Sequence, residues 1–258
     1  MASKSSSNTE IVNHRVTDLK SEPRRILPPI EGFENESLVS LEEAVEPLEK
    51  IVPAVTQMVW TVKDECSRRS PTHLTLDQRA AIMLYTLEWT THDKSFYFIF
   101  NQTLRSINRQ QLKPWFRYLK LFIIALLRLP SISCHIYRGI KENLAKDYPT
   151  GSIFVWWAFS SCTKTIEVLE TDTFLGQDGE RTIFNIHCNS GIDIGEHSFL
   201  PHGNEILLLA ARRFQVDSCA NLGHGLHMVQ VKEIAAPFPL LADVSSLMIV
   251  REKTDNLF

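Results

Sequence analysis

Three short stretches in the second half of the chain carry side chains that could do chemistry together, and they come in a fixed order. Arg138 lies between Tyr137 and Gly139. Its guanidinium offers a planar pair of donors matched to phosphate. Phe159-Ser160-Ser161-Cys162-Thr163 ends in hydroxyl side chains, which orient polar ligands. Glu205 stands where the turn-prone group Pro201, Gly203 and Asn204 gives way to the apolar run Ile206 to Ala211. A carboxylate with one wet and one apolar side can stabilise a developing cation. Taken singly, each stretch also has a plain structural reading. Glu205 is then the last polar residue before a core strand, and Arg138 an ion-pair residue of the scaffold.

The elements that must hold these residues change character along the chain. Ser40-Leu41-Glu42-Glu43 is a capping box, and Leu41, Val45, Leu48, Val52, Val55, Val59 and Val62 recur three or four apart. Pro47 and Pro53 divide that run into shorter helices. Thr75-Leu76-Asp77-Gln78 caps a second helix. Phe96 to Arg109 reads as a third, and Lys113 to Leu129, with Pro114 in its first turn and Pro130 beyond its end, as a fourth. After that the period shortens to two. Strands are expected at 135–139, 153–163, 182–188, 206–216, 227–234 and 247–251. Helices followed by strands, without regular alternation, predict an α+β fold. The expected layout is a flexible tail over residues 1–39 and a single domain over 40–258, with a helical lobe to about 130 and a β-sandwich core from about 131.

Composition narrows the function classes. With 258 residues, a net charge of -3 and 22% charged residues, the chain has no general pull toward nucleic acid or anionic membranes. The start is polar, without the apolar core of a signal peptide. Leu119 to Leu129 is too short to span a bilayer and carries Lys120 and Arg128. A cytoplasmic protein is therefore expected, with no membrane partner. Five cysteines, an odd number without tight spacing, do not form a disulfide framework. Cys188, Cys219, His224 and His227 lack paired CxxC spacing, so no metal is expected. Trp156 and Trp157 are consecutive strand residues and must face opposite sides, with core packing the expected role of both.

The ordered elements resemble those of the mono-ADP-ribosyltransferases of the arginine-serine-glutamate class. Tyr137-Arg138-Gly139 matches the first motif of that class. Ser161-Cys162-Thr163 stands where Ser-Thr-Ser is usual, and the stretch Ser198 to Leu207 is similar to SxFPxExEVL. In the helical half, Leu74 to Asp77 leading to Tyr85-Thr86, then Asn101 to Arg105, then Ala125 to Pro130, are similar to eukaryotic members. The resemblance covers about Leu74 to Pro239.

What the resemblance implies is specific. NAD binds as substrate in a cleft between two small sheets beside a helical lobe. Arg138 holds its diphosphate or the nicotinamide ribose, and Gly139 offers backbone to the nicotinamide amide. Ser161 positions Glu205 and the ribose. Glu205 bonds the ribose 2′-hydroxyl and stabilises the oxocarbenium-like state. Tyr137 and Thr163 complete the NAD contacts, Phe174 stacks on nicotinamide, and Asn101 with Arg105, four apart on one helix face, meets the adenosine and phosphate side. ADP-ribose then passes to a protein acceptor, arginine by family. One departure bears on that acceptor. Arginine-modifying members carry a second Glu two residues before the catalytic one, and Gly203 stands there. Glycine cannot orient or deprotonate a guanidinium, which leaves His202, Gly203 and Asn204 as the acceptor loop to be tested. NAD hydrolysis, or binding without turnover, are the alternatives.

Overall fold

The computed structural model describes residues 22–89, 91–170, 175–199 and 205–244. The helices come first: α1 Leu41–Val45, α2 Val55–Arg68, α3 Leu76–Thr86, α4 Phe96–Arg105 and α5 Phe116–Leu127. Both capping boxes form. The Ser40 hydroxyl accepts the Glu43 amide while Glu43 reaches back to the Ser40 amide, and Thr75 and Gln78 do the same at α3. Pro47 falls in a 3-10 turn at Glu46–Leu48, so the expected break separates α1 from α2. Pro114 opens no α-helix. It lies inside a 3-10 stretch, Arg109–Trp115, and α5 begins after it.

Among the described residues seven strands follow: β1 Ser131–Ile140, β2 Ile153–Trp156, β3 Ser160–Thr163, β4 Arg181–Asp193, β5 Glu205–Leu208, β6 Arg212–Gly223 and β7 Leu226–Ile234. Two expected strands are each broken in two. The 153–163 run divides at Trp157 to Phe159. The 206–216 run divides at Leu209 to Ala211, where Ala211 takes φ 61° to make the corner. The strand expected at 247–251 lies outside the described residues.

The strand order is β1-β3-β5-β4-β7-β6-β2, and β1 also pairs with β4. Strands β1, β3, β5 and β4 therefore close on themselves, and the sheet wraps over its own core. Among the pairings of these described strands, only β4–β7 is parallel. Inside the wrap lie Ile136, Trp156, Cys162, Phe184, Ile206, Leu208, Phe214 and Val229. A second core joins the helices to the outer face of β5 and its neighbours through Trp157, Phe159, Ile192 and Leu207. The two tryptophans thus serve opposite cores, as strand alternation requires.

From Glu22 onward the amino-terminal segment is packed, although the sequence predicts a tail through residue 39. Leu27, Ile30 and Phe33 are buried, and Ile30 bridges to Leu241 in parallel. Three apolar residues spaced three apart in a polar, proline-rich stretch give too weak a period to read as an element. No helix among the described residues is long and apolar enough to cross a membrane.

The Thr75 cap supplies a first test. Thr75→Ala removes one acceptor and frees Gln78, and should lower stability by about 1 kcal/mol. A shifted urea midpoint at unchanged slope would show it; an unmoved midpoint would mean the α3 terminus is held by its neighbours instead.

Candidate active site

Strand register assembles the hydroxyl and carboxylate side chains. Ser161 pairs with Leu207 and Thr163 with Glu205 across β3 and β5. Directly opposed residues share a face, so Ser161, Thr163 and Glu205 line one side of the pair. On β1, Tyr137 is opposite Thr163 and extends that surface. Leu207, on the same face, packs into the helical core. The surface therefore sits where sheet and helices meet. Ser161, Thr163 and Glu205 are all buried, Glu205 at 8% exposure. The Ser161 hydroxyl has no hydrogen-bond partner among the described residues.

The Glu205 carboxylate is positioned by a residue to which the sequence reading gave no role. Ser198 Oγ donates to Glu205 Oε2 at 2.8 Å. A hydroxyl donor to a carboxylate is among the stronger neutral-to-charged bonds. Ser198 is itself held from both sides. Arg69, just past α2, donates through Nη1 to the Ser198 carbonyl and through Nη2 to the Phe199 carbonyl, both at 2.7 Å. The Phe199 amide donates to Thr86 Oγ1 at the end of α3 at 2.8 Å. Glu65 orients Arg69 through Nε at 2.9 Å. The segment before Glu205 is thus tied to two helices more than a hundred residues away, separations that no local pattern reveals. Residues His202, Gly203 and Asn204 lie outside the described residues, as does Phe174.

Arg138 sits on the other face of β1, with Ile136 and Ile140. It is 1% exposed, donates through Nη1 to the Ser161 carbonyl at 3.3 Å, and lies 5.8 Å from the Trp156 ring centre. It touches the strand that carries Ser161, from the interior side. Gly139 is covered. A Cβ there would come within 2.5 Å of Leu175, which packs with Leu169, Ile183 and Tyr137 over that end of β1.

The two α4 residues lie at the other end of the same stretch. Asn101 donates through Nδ2 to the Phe159 carbonyl at 3.3 Å and to the Tyr85 hydroxyl at 3.2 Å, while its Oδ1 is buried without a partner among the described residues. Arg105 is 7% exposed and pairs with Glu22. Arg109 stacks over Trp157 at 4.6 Å; burial brings its pKa down to about 10, which leaves it charged at neutral pH. The segment Trp157 to Thr163 accordingly runs from a cationic end at α4 to a carboxylate end at β5. At about 3.3 Å per residue it spans roughly 20 Å.

Cys162 points into the interior core, and burial pushes its thiol up to about 12. The thiolate is absent at physiological pH, so Cys162 is no nucleophile here. Among the described residues no group of His, Cys, Asp and Glu could hold a metal ion. Labelling with iodoacetamide at pH 8 should modify the half-buried Cys134 and Cys219 of the folded protein and spare Cys162 until denaturant is added. Peptide mass spectrometry reads the order, and rapid native labelling of Cys162 would show that β3 opens.

Residues 33–236 match the model of the family described as NAD:arginine ADP-ribosyltransferase. Among solved structures, the eukaryotic mono-ADP-ribosyltransferase ART2.2 superposes with a TM-score of 0.53 at 18% identity, covering 84% of this chain and 95% of that one. The ADP-ribosyltransferase Vis of Vibrio splendidus, in complex with agmatine, gives 0.51 at 19% identity, covering 80% and 92%. HopU1 of Pseudomonas syringae pv. Tomato DC3000 gives 0.50 at 17% identity, covering 68% and 87%. No curated protein sequence matches the chain. The structural likenesses show the fold, and the family match spans most of the chain. The chain belongs to the NAD:arginine ADP-ribosyltransferase family, NAD-dependent transferases for which NAD is a substrate.

Proposed function

We propose that this chain binds NAD along the Trp157 to Thr163 stretch, cleaves the bond between nicotinamide and ribose, and transfers ADP-ribose to a protein acceptor. The observation that carries the reading is the shared face of Ser161, Thr163 and Glu205, with one carboxylate oxygen of Glu205 already held by Ser198. Breaking an N-glycosidic bond develops positive charge on the ribose, and a fixed carboxylate is the group that stabilises it. The Glu205 oxygen not bonded to Ser198 is assigned to the ribose 2′-hydroxyl. Ser161, whose hydroxyl finds no partner among the described residues, is assigned to the nicotinamide ribose, with Thr163 and Tyr137 beside it. Asn101 and Arg105 are assigned to the adenosine and phosphate end. Arg138 acts on this reading by bracing the Ser161 carbonyl, so it fixes the strand that presents the hydroxyls. Gly139 and Phe174 retain their family roles toward nicotinamide, and Leu175 must give way for Gly139 to do so.

Arginine is the acceptor we propose to test first, since the family is named for it and Vis is solved with the guanidino compound agmatine. Gly203 favours a second reading. Without a carboxylate two residues before Glu205, an incoming guanidinium has no base, and water becomes the competing acceptor. On that reading the chain is an NAD glycohydrolase.

Labelled NAD with and without agmatine and a protein lysate separates these readings. Glu205→Ala should cut nicotinamide release by about 10²–10³; unchanged release would remove Glu205 from the chemistry. Release that does not depend on acceptor marks hydrolysis, and label on agmatine marks transfer to guanidine. Gly203→Glu should raise the ratio of agmatine labelling to hydrolysis. An unchanged ratio would mean that His202 or Asn204, or no loop residue, sets the acceptor.

A further inference from the structure

Glu22, in the amino-terminal segment, lies inside the site just assigned. Glu22 and Arg105 form an ion pair with side chains only 8% and 7% exposed, Arg105 Nε to Glu22 Oε1 at 2.5 Å. The other carboxylate oxygen, Oε2, accepts the Trp157 amide at 2.9 Å. One guanidinium and one backbone amide thus grip two oxygens of a single anion. This is the donor set that binds phosphate as readily as carboxylate. The polar atoms near it are under-used. Asn101 Oδ1, Trp157 Nε1 and Arg109 Nη2 are buried without a partner among the described residues. A scaffold built only to bury Glu22 has no use for them, whereas a nucleotide supplies donors and acceptors to spare.

The segment is fastened beyond Glu22 by contacts that do not depend on it. Leu27 is buried, the Pro28 carbonyl accepts Arg109 Nε at 2.9 Å, and Ile30 bonds the Leu240 carbonyl and the Ala242 amide. Between Glu22 and those anchors, Arg24 pairs with Asp147, side chains 85% and 40% exposed, and that pair is weak. Glu22 can leave Arg105 by a swing about Leu27, with the rest of the strap in place. Glu22 also lies ahead of residue 33, where the match to the family begins.

We propose that Glu22 is a built-in occupant of the anion subsite formed by Arg105 and the Trp157 amide, so that the diphosphate of NAD enters as the Glu22 carboxylate leaves. The strap is an autoinhibitory contact. This rests on the reading of α4 as the phosphate side of the NAD site. A strap closed nine-tenths of the time lowers the apparent affinity about tenfold, because only the open fraction is competent.

Full-length Glu22→Gln, which keeps the shape and loses the charge, should bind NAD roughly tenfold more tightly and lower KM with kcat little changed. Adding Arg105→Ala should erase that gain. In the unaltered protein, saturating NAD should speed hydrogen exchange in residues 22–26 while slowing it at Trp157 to Phe159. Unchanged or weaker binding by a Glu22→Gln variant of normal melting temperature would overturn the strap, as would NAD protecting both segments. If no variant binds NAD at all, the NAD reading itself has failed, and inorganic pyrophosphate becomes the probe. Tighter pyrophosphate binding by Glu22→Gln would still uphold Glu22 as an occupant of an anion subsite. Equal pyrophosphate affinity in both proteins would reject it.

Discussion

Strand β5 is buried on both faces, and the register this forces is what the site depends on. Ile206 and Leu208 point into the core inside the wrapped sheet, while Leu207 packs with the helices. A slip of one residue would exchange every side chain between two differently shaped cores. The strand is also bonded on both edges, to β3 and to β4. Glu205 is its first residue, so its place opposite Thr163 follows from the packing of three apolar residues rather than from any contact of its own. This explains how a carboxylate is held nearly buried at the first position of a core strand. The core fixes where it stands, and Ser198 fixes how it is turned.

The same logic makes Trp157 to Phe159 a seam rather than a loop. Trp156 belongs to the inner core, Trp157 and Phe159 to the helical one, and Cys162 to the inner core again. A chain that changes cores must leave regular pairing for a few residues, which frees its amides and carbonyls for side chains. Glu22 takes the Trp157 amide, Asn101 the Phe159 carbonyl, and Arg138 the carbonyl of Ser161 within β3. A nearly continuous apolar stretch gave no sign of this seam, because Ile153 to Phe159 is apolar throughout, with no glycine or proline to mark a break. The expected single strand at 153–163 fails for that reason. The expected strand at 206–216 fails because Leu209, Ala210 and Ala211 are all apolar through the corner, with no glycine to mark its positive φ at Ala211.

What was legible came from strong local rules. Two capping boxes start α1 and α3 because hydroxyl and amide are three residues apart in the chain and meet whatever else happens. Pro47 breaks the first helical run for an equally local reason. The α+β order and the family followed from motifs that are short and ordered. Illegible were contacts set by tertiary packing alone. Arg69 reads as one more charge at a helix end, yet it carries the backbone ahead of Glu205. Arg138 was placed by resemblance toward the ligand. Alternation along β1 sets it on the face of Ile136 and Ile140, and only the register with β3 and β4 shows which strands it meets there.

The buried polar groups show where local rules give way. A hydroxyl, an indole or an amide oxygen buried without a partner costs about 1–3 kcal/mol. Among the described residues such atoms on Asn101, Arg109, Trp157 and Ser161 lie along one path from α4 to β3. Others, on Trp115, Arg128 and Arg212, lie elsewhere. Those four atoms lie along one seam, beside the guanidinium of Arg105 that holds the Glu22 carboxylate. The apolar packing of β5 sets the seam's far end, and the ion pair of Arg105 with Glu22 sets its near end. Folding by itself rewards neither the unmet bonds nor a desolvated ion pair, which in a well-packed core is no more stabilising than apolar side chains of equal size. On the proposed reading, that stability is spent on binding, and the strap decides when the binding is available.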